Sequence, residues 1–328
     1  MRKSKIITFS LVLVSLAIFS QSYCFGDITV GSIFRIKENH YVPVFNNNVF
    51  NLTYKSGPKG SYCEGLDIVL LPASTLQIIE MFENGHVEVE YCVSETVKGR
   101  GFVHANFIRN SMEQVKGKFW DVALCHKRLP FTLQKFRKIC YRCISEKIPY
   151  CGGASNFERI NLDNMYFFSE KQGNSLQNGN YELRGFDGFG FLYFVSNGTL
   201  FRELYDINMS GEKLFIFDTR REYSLKEKKF ALSLMRDSDY ILIHRKKKRF
   251  GGRSWYVAIS FNGGLLEFKG KKHGITFTEK ESSVKRLDTL LGMARLAGSD
   301  LYIVRWHPEL LTLLKTKEAI LNRKMPLH

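Results

Sequence analysis

The sequence predicts an α+β fold, in which a small all-β unit precedes a unit built from a helix and an antiparallel sheet. Residues 27–110 consist of short apolar or alternating runs separated by Gly, Asn, Pro and Lys, which is typical of strands. An apolar pattern with helical spacing follows at 131–147. Consecutive strand-like runs then occupy 238–268, and Asn262-Gly263 within them predicts a two-residue hairpin turn. A helix followed by a strand meander is an α+β pattern.

The first 26 residues have the pattern of a secretory signal peptide. Arg2, Lys3 and Lys5 precede an apolar run at 6–19, and small residues suit cleavage before Asp27. The run is shorter than the roughly 20 residues that a membrane-spanning helix needs, and an uncleaved anchor is the alternative interpretation. We therefore expect export to the periplasm or cell envelope, with no transmembrane span after cleavage.

The charge of the chain indicates the kind of surface that attracts it. The formal net charge is +16, and loss of the three leader cations leaves +13. A basic exported protein is drawn to anionic envelope polymers, and export makes nucleic acid an unexpected partner. We interpret the most basic run, HRKKKR at 244–249, as a solvated hairpin loop between two strands.

The first unit, residues 27–110, contains short runs at a spacing that predicts a small barrel. The runs are SIFRI, VPVF, DIVLL, LQIIEMF, VEVEYCV and GFVHANFI. Their order, with a small-residue turn before TLQIIE and a closing GFVHANFI strand at 101–108, resembles the bacterial SH3-like domains of cell-wall proteins. The resemblance implies an SH3-like barrel.

A connector at 111–130 leads into the second unit, residues 131–300. This unit begins with an amphipathic helix, which should end near Lys147 because Pro149 follows. The tail 301–328 is expected to dock on the second unit. The apolar positions of the helix are Phe131, Leu133, Phe136, Ile139, Cys140, Cys143 and Ile144.

Six cysteines follow the leader, and export permits disulfides among them, with 15 pairings open. Cys140 and Cys143 form a C-x-x-C, which with Cys125, His126 and Cys151 offers an alternative zinc site. On a continuous helix the two cysteines of this motif lie on the apolar face. That position favours small core residues, with a disulfide as the next interpretation. We expect no metal and no cofactor.

Three short motifs carry a resemblance to a known family. They are PYCGG at 149–153, GFDGFGF at 185–191 and SWYV at 254–257. With the elements around them, residues 147–268 resemble the NlpC-type family of papain-like cysteine peptidases, which cut stem peptides in bacterial cell wall. The resemblance implies a papain-like domain whose central helix opens at the second motif and precedes an antiparallel sheet. The first motif lacks the Trp of the family and is one residue shorter.

The resemblance places the nucleophile of the family at Gly188, its imidazole at Tyr256 and its third polar residue at Glu267. Glycine offers no nucleophile, and a Tyr with an unperturbed pKa of about 10 is no base at neutral pH. A cysteine peptidase needs a thiolate paired with an imidazole, so the loss of both predicts a pseudoenzyme. Cys151 in the first motif is an alternative nucleophile, with His244 or His273 as its base.

Four side chains in or beside the motifs are candidate binding residues: Tyr150, Asp187, Phe189 and Trp255. We expect an exported, catalytically inactive protein that binds peptidoglycan or its stem peptides. Two alternatives stay open at this point. One is an active cell-wall cysteine peptidase with a relocated nucleophile such as Cys151, and the other is a decayed gene product.

Overall fold

The computed structural model describes residues 28–46, 54–57, 60–63, 65–83, 85–94, 98–125, 131–162, 182–198, 211–244, 255–270 and 273–305. Within these ranges the chain forms 18 strands and six helices of at least seven residues. The strands are β1 (Ile33–Ile36), β2 (Val42–Phe45), β3 (Tyr54–Gly57), β4 (Gly60–Cys63), β5 (Leu66–Leu70), β6 (Thr75–Met81), β7 (His86–Cys92), β8 (Lys98–His104), β9 (Met112–Val115), β10 (Tyr150–Gly152), β11 (Ser155–Asn161), β12 (Glu182–Phe186), β13 (Glu212–Phe217), β14 (Tyr240–His244), β15 (Trp255–Phe261), β16 (Gly264–Phe268), β17 (Ile275–Thr278) and β18 (Leu301–Arg305). The helices are α1 (Ala105–Ser111), α2 (Phe119–Cys125), α3 (Leu133–Ser145), α4 (Gly188–Val195), α5 (Leu225–Ser233) and α6 (Ser283–Leu296).

The architecture is α+β, as the sequence predicts, and its sheets are mainly antiparallel. The first sheet has the order β5-β2-β8-β7-β6-β1-β9, the second β11-β12-β10-β4-β3, and the third β13-β18-β14-β15-β16-β17. None of the described helices has the length and apolar character needed to cross a membrane.

The first sheet contains the strands predicted for the first unit, and all its pairs are antiparallel. Its edge strands are β5 and β9, and no pairing joins them within the described ranges. These strands therefore form an open sheet, and the predicted closed barrel is not found there. β9 lies inside the predicted connector and pairs with β1 from Ile33↔Val115 to Ile36↔Met112, so the connector contributes a strand to this sheet.

The closing run GFVHANFI is only half a strand, which corrects the prediction of one strand over 101–108. β8 ends at His104, and α1 begins at the next residue. The Nδ1 atom of His104 accepts a hydrogen bond from the backbone N–H of Asn106 at 3.3 Å, which caps the helix. Ala105 and Ile108 are fully buried at helical spacing, so the apolar pattern changes period within the run.

His86, the first residue of β7, and His104, the last residue of β8, form a buried pair. Their rings meet edge to face with centroids 5.2 Å apart. Burial, with a smaller contribution from His104, lowers the pKa of His86 to about 4. Burial and the positive charge of Arg109 also lower the pKa of His104. Both rings are therefore neutral in the folded protein at pH 7.

This pair predicts a loss of stability in mild acid. The unfolded chain binds protons at these histidines below pH about 6.5, whereas the folded chain does so only at lower pH. Stability should therefore fall as the pH decreases from about 6.5 towards the folded pKa values. We expect the free energy of unfolding to be about 2 kcal/mol lower at pH 5 than at pH 7.5, measured by urea denaturation. His86→Phe should remove most of this difference, and the exposed control His40→Asn should retain it.

The second sheet joins segments from both sides of the predicted boundary at residue 110. The β3–β4 hairpin lies beside β10, with β4 parallel to β10 and Ser61 opposite Cys151. β10 also pairs in parallel with β12 at Tyr150↔Phe186. The sequence did not indicate this arrangement, because β10 has only three residues and pairing over such a separation leaves no local pattern.

The third sheet shows that the predicted tail begins with an interior strand. β18 lies between β13 and β14 and is antiparallel to both. Leu301 and Ile303 are fully buried. At its end, Arg305 donates from Nε to Asp239 Oδ1 at 3.1 Å and from a terminal nitrogen to Oδ2 at 2.8 Å. Residues 301–305 are therefore part of the sheet, and residues 306–328 of the tail lie outside the described ranges.

Arg305→Lys tests this ion pair. Asp239 is 2% exposed, and a lysine ammonium does not reproduce the planar two-point contact of the guanidinium. We expect the free energy of unfolding to fall by about 1–2 kcal/mol in a denaturant titration. Arg236→Lys serves as the control, because the hydrogen bonds between this exposed residue and Asp239 involve only the backbone N–H and carbonyl of Arg236. An equal loss in both variants would contradict the role of the pair.

Helices cover both faces of the third sheet. α3 and α4 pack on one face, and α5 and α6 pack on the other. α4 is apolar around its whole circumference, as expected of a helix buried between two layers. Phe191 and Leu192 of α4 pack into the third-sheet core, whereas Tyr193 packs into the core of the first sheet. α4 therefore lies between these two sheets and brings the second motif to the centre of the molecule.

Candidate functional site

Asp187 is the N-cap residue of α4 and connects the first two motifs. Its Oδ1 accepts a hydrogen bond from the N–H of Gly190 at 2.6 Å, within the first turn of the helix. Its Oδ2 accepts one from the N–H of Gly153 at 2.7 Å. The sequence predicts Asp187 as a binding residue, and the structure engages both of its carboxylate oxygens in holding the scaffold.

Two glycines of the second motif are explained by close backbone approach. A Cβ atom at Gly190 would lie 2.0 Å from the carbonyl oxygen of Ala154. One at Gly185 would lie 2.1 Å from the carbonyl oxygen of Pro149, and Gly185 has a φ of +126°. Any larger residue at these positions would separate the first motif from α4.

Gly188, the predicted nucleophile position, is the first residue of α4 and is buried against the third sheet. A Cβ atom there would lie 2.8 Å from Cβ of Val257 and 3.6 Å from Cδ2 of Phe268. The first distance is shorter than side-chain contacts allow, so any side chain would displace the sheet. The position therefore lacks both a reactive atom and the space for one.

Tyr256, the predicted imidazole position, faces away from Gly188. Successive residues of a strand point to opposite faces of the sheet. Val257 packs with Phe191 on the α4 face, whereas Tyr256 packs with Leu287 on the α6 face. The structure therefore does not bring Tyr256 to Gly188, and the residue that meets Gly188 is Val257.

The sequence could not distinguish Tyr256 from Val257. β15 reads WYVAISF and is apolar on both faces, because helices cover both sides of the sheet. A strand buried on both faces lacks the alternation that identifies the inward residues. A shift of one residue then exchanges the two faces.

Glu267 lies on the same face as Tyr256, at the centre of a buried polar network. The Tyr256 hydroxyl donates to Glu267 Oε1, and Arg286 Nε donates to the same oxygen at 2.6 Å. Thr278 Oγ1 donates to Oε2 at 3.0 Å, and Lys269 Nζ lies 3.1 Å from Oε2. The network joins α6 to the sheet, and no motif in the sequence indicated that Arg286 belongs to it.

The ionisation of this network follows from its contacts. Burial alone would raise the pKa of Glu267, but hydrogen bonds from Tyr256 and Arg286 and the charge of Lys269 bring it below its ordinary value. Burial and the adjacent Glu267 carboxylate raise the pKa of Tyr256. Glu267 is therefore ionised, and Tyr256 is a protonated donor with no capacity to act as a base near neutral pH.

Cys151, the alternative nucleophile, is fully buried. It packs with Phe45 and Val69 of the first sheet, and the Ser61 hydroxyl lies 3.3 Å from its Sγ. His273, one of its two predicted bases, is exposed in the turn between β16 and β17. The side chain of His244, the other, lies outside the described part of the chain. A peptide substrate has no access to Cys151 in this structure.

The remaining predicted binding residues lie near the start of α4 or at the start of β15. Tyr150 and Phe189 are both half-buried and pack against the third-sheet core. Trp255 begins β15 and pairs with His244, and its side chain lies outside the described part of the chain. The structure thus associates Tyr150 and Phe189 with one cluster.

The C-x-x-C motif lies on the apolar face of α3. Cys140 and Cys143 are buried there with Phe136 and Ile139. Burial raises the pKa of both thiols, so neither is a ready thiolate. No cluster of three metal-ligating side chains occurs among the residues that the structure describes, and His126 lies outside them.

Comparisons with known proteins give a limited result. No protein-family model matches the sequence, and no curated protein matches it. Among solved structures, the chain is similar to NlpC1 from Trichomonas vaginalis, with a TM-score of 0.27 and 8% identity over 78% of this chain and 90% of that one. It is also similar to NlpC2 from the same organism, with a TM-score of 0.27 and 9% identity over 78% of this chain and 95% of that one. The likeness is weak and concerns the fold alone.

Proposed function

We propose that this protein is a non-catalytic member of the NlpC-type papain-like architecture, exported to the cell envelope, where it binds peptidoglycan stem peptides. The observation that carries the proposal is the packing of Gly188 against Val257. The predicted nucleophile position has no side chain, and the third sheet fills the space beside it.

The chemistry of a cysteine peptidase has no equivalent at this position. Such an enzyme attacks with a thiolate held at a helix N-terminus and activated by an imidazole. At the start of α4 the corresponding contacts are Gly188, Val257 and Phe268, which carry no ionisable group. Tyr256 and Glu267 lie on the other face of the sheet and bind each other. The network therefore supports a structural role for these two residues.

Features that would support binding remain at the same end of α4. Tyr150 and Phe189 offer half-buried aromatic surface beside the first two motifs. Aromatic side chains with one accessible face are common in ligand sites because they combine apolar area with few rotatable bonds. The strongly basic composition adds a general attraction to the anionic polymers of the envelope.

The test is a pull-down of the purified protein on insoluble peptidoglycan, with mass spectrometry of soluble muropeptides from the same tube. We expect binding without release. Tyr150→Ala and Phe189→Ala should each reduce the bound fraction several-fold, whereas Phe230→Ala should not. Phe230 is a suitable control because it is an exposed aromatic residue of α5, on the other face of the third sheet.

Other outcomes would contradict the proposal in different ways. Release of muropeptides that disappears in Cys151→Ala would favour an active peptidase with a relocated nucleophile. If high salt abolished binding equally in all variants, the interaction would be explained by charge alone and not by a specific site. If the folded protein neither binds peptidoglycan nor releases muropeptides, the proposed role in the cell wall is wrong. That result would favour a decayed gene product.

A further inference from the structure

We propose that residues 309–321 of the C-terminal tail form an amphipathic helix that covers the edge of the third sheet at β13. This surface, which we call the β13 edge, consists of four apolar side chains that are not buried: Leu214, Phe215, Ile216 and Phe230. β13 lies three strands from β15 in the order of the sheet, so the β13 edge is separate from the site at Gly188.

β13 is unusually apolar for a strand at the edge of a sheet. It reads EKLFIF, and of its six residues Phe217 alone is buried. Ile216 is 47% exposed. The strand at the opposite edge, β17, reads ITFT and carries two threonines. An apolar edge strand is a template for pairing with another chain, and proteins commonly cover such an edge with a helix or a loop. We therefore expect a further segment to cover the β13 edge.

The β13 edge presents apolar groups on both faces of the sheet. The ring centroid of Phe215 lies 4.6 Å from that of Phe217 and 6.5 Å from that of Phe230, on the α5 face. Successive residues of a strand point to opposite faces, so Ile216 lies on the other face, opposite Tyr302 of β18. Phe230 is 57% exposed. A segment that contacts both Ile216 and Phe230 must therefore run along the edge of β13.

The tail leaves the sheet beside this edge. β18 is the neighbour of β13, and its last residue, Arg305, pairs with Glu212 at the start of β13. A Cβ atom at Gly211 would lie 2.3 Å from the carbonyl oxygen of Arg305, so the two backbones are in close contact there. The tail therefore starts one strand spacing, about 5 Å, from β13. The six residues of β13 extend over roughly 20 Å, and a helix of residues 309–321 has about the same length.

The sequence of residues 309–321, ELLTLLKTKEAIL, predicts an amphipathic helix. Five aliphatic residues recur at helical spacing on one side: Leu310, Leu313, Leu314, Ile320 and Leu321. Thr312 and Lys315 fall on the opposite side. Pro308 lies just before this segment, and proline is common at the first position of a helix. Lys317 lies within the apolar stripe, where its aliphatic stem can cover apolar surface while the ammonium reaches solvent. Contact between the stripe and the β13 edge removes both apolar surfaces from water.

The experiment is hydrogen–deuterium exchange of the purified protein, followed by mass spectrometry of peptides from the tail and from β13. We expect the amides of residues 309–321 to exchange about tenfold or more slowly than those of an isolated peptide of this sequence. Ile216→Ser and Phe230→Ser should each remove most of this protection, whereas Tyr141→Ser should retain it. Tyr141 is a suitable control because it is 55% exposed on α3, on the other face of the third sheet.

The reciprocal variant changes the tail. Leu310→Ser/Leu314→Ser should make the amides of β13 exchange several-fold faster, because the edge strand loses its cover. The amides of β15, an interior strand, serve as the internal reference. Their exchange should be the same in every variant, which shows that the fold persists.

Four results would each overturn the proposal. The first is exchange of residues 309–321 in the unmodified protein at the rate of the isolated peptide. The second is protection that persists in Ile216→Ser and Phe230→Ser, which would place the tail on another surface. The third is a dimer in light scattering whose dilution exposes β13, which would show that a second copy covers the edge. The fourth is protection that arises only with vesicles of anionic phospholipid, which would make the tail a membrane-binding segment.

Discussion

Arg286→Met is expected to lower the free energy of unfolding by about 3–5 kcal/mol, because it leaves a buried carboxylate without its main partner. Glu267 is fully buried, and Arg286 contacts its Oε1 at 2.6 Å. Lys269 remains on the other oxygen, but it is partly exposed and compensates only in part. The measurement is equilibrium denaturation in urea. The control is Lys285→Met, which changes the adjacent exposed residue in the same way.

A combined variant separates the ion pair from simple packing. In Tyr256→Phe/Glu267→Leu/Arg286→Met three of the five network side chains become apolar. The buried carboxylate is removed together with two of its partners, and only Thr278 and the partly exposed Lys269 lose a contact. We expect this protein to recover most of the stability that Arg286→Met alone loses. If the losses were simply additive, the network would not act as a unit. Binding to peptidoglycan should persist in the combined variant, because these residues lie on the face opposite Gly188.

Gly188→Cys, the substitution that would restore a nucleophile, is expected to lower the free energy of unfolding by about 1–3 kcal/mol and to give no peptidase activity. The new Cβ would lie 2.8 Å from Cβ of Val257, so the start of α4 or β15 must move. No imidazole faces the position from β15, where Val257 meets it. The measurements are urea denaturation and release of soluble muropeptides.

Gly292→Ala provides the matched control for this substitution. Gly292 lies within α6, and a Cβ atom there would meet nothing within 4 Å. Alanine should raise the stability by roughly 0.5–1 kcal/mol, because glycine is unfavourable inside a helix. Muropeptide release by Gly188→Cys would contradict the proposal of a non-catalytic site. A stability equal to that of the unmodified protein would contradict the close packing of α4 on the sheet.

The elements with strong local patterns could be predicted from the sequence. The apolar period and Pro149 predicted α3, and the structure places Cys140 and Cys143 on its buried face as expected. The resemblance predicted a central helix that opens at the second motif, and α4 begins there at Gly188. Asn262 and Gly263 both have the positive φ values, 51° and 73°, that a tight two-residue hairpin turn requires. These features depend on neighbouring residues along the chain.

The identity of the site residues was only partly predictable. The glycines of the second motif and Asp187 could be recognised from the sequence as residues that match the family motif. Their role in joining the first motif to α4 could be seen only in the structure. Phe268 and Val257, which close the predicted nucleophile position, carried no signal because β15 and β16 are buried on both faces. Arg286 joined Glu267 only through the packing of α6 on the sheet.

The sequence by itself determined the α+β class, the central apolar helix and the absence of a nucleophile at Gly188, because periodicity and residue identity are local properties. The tertiary structure decided that β3 and β4 join the second sheet, that β18 lies inside the third, and that Val257 faces Gly188. The physical reason is that strand pairing and register arise between residues far apart in the chain. A change of one residue in register reverses the face of every side chain, and the pattern of a fully buried strand does not record which face it is.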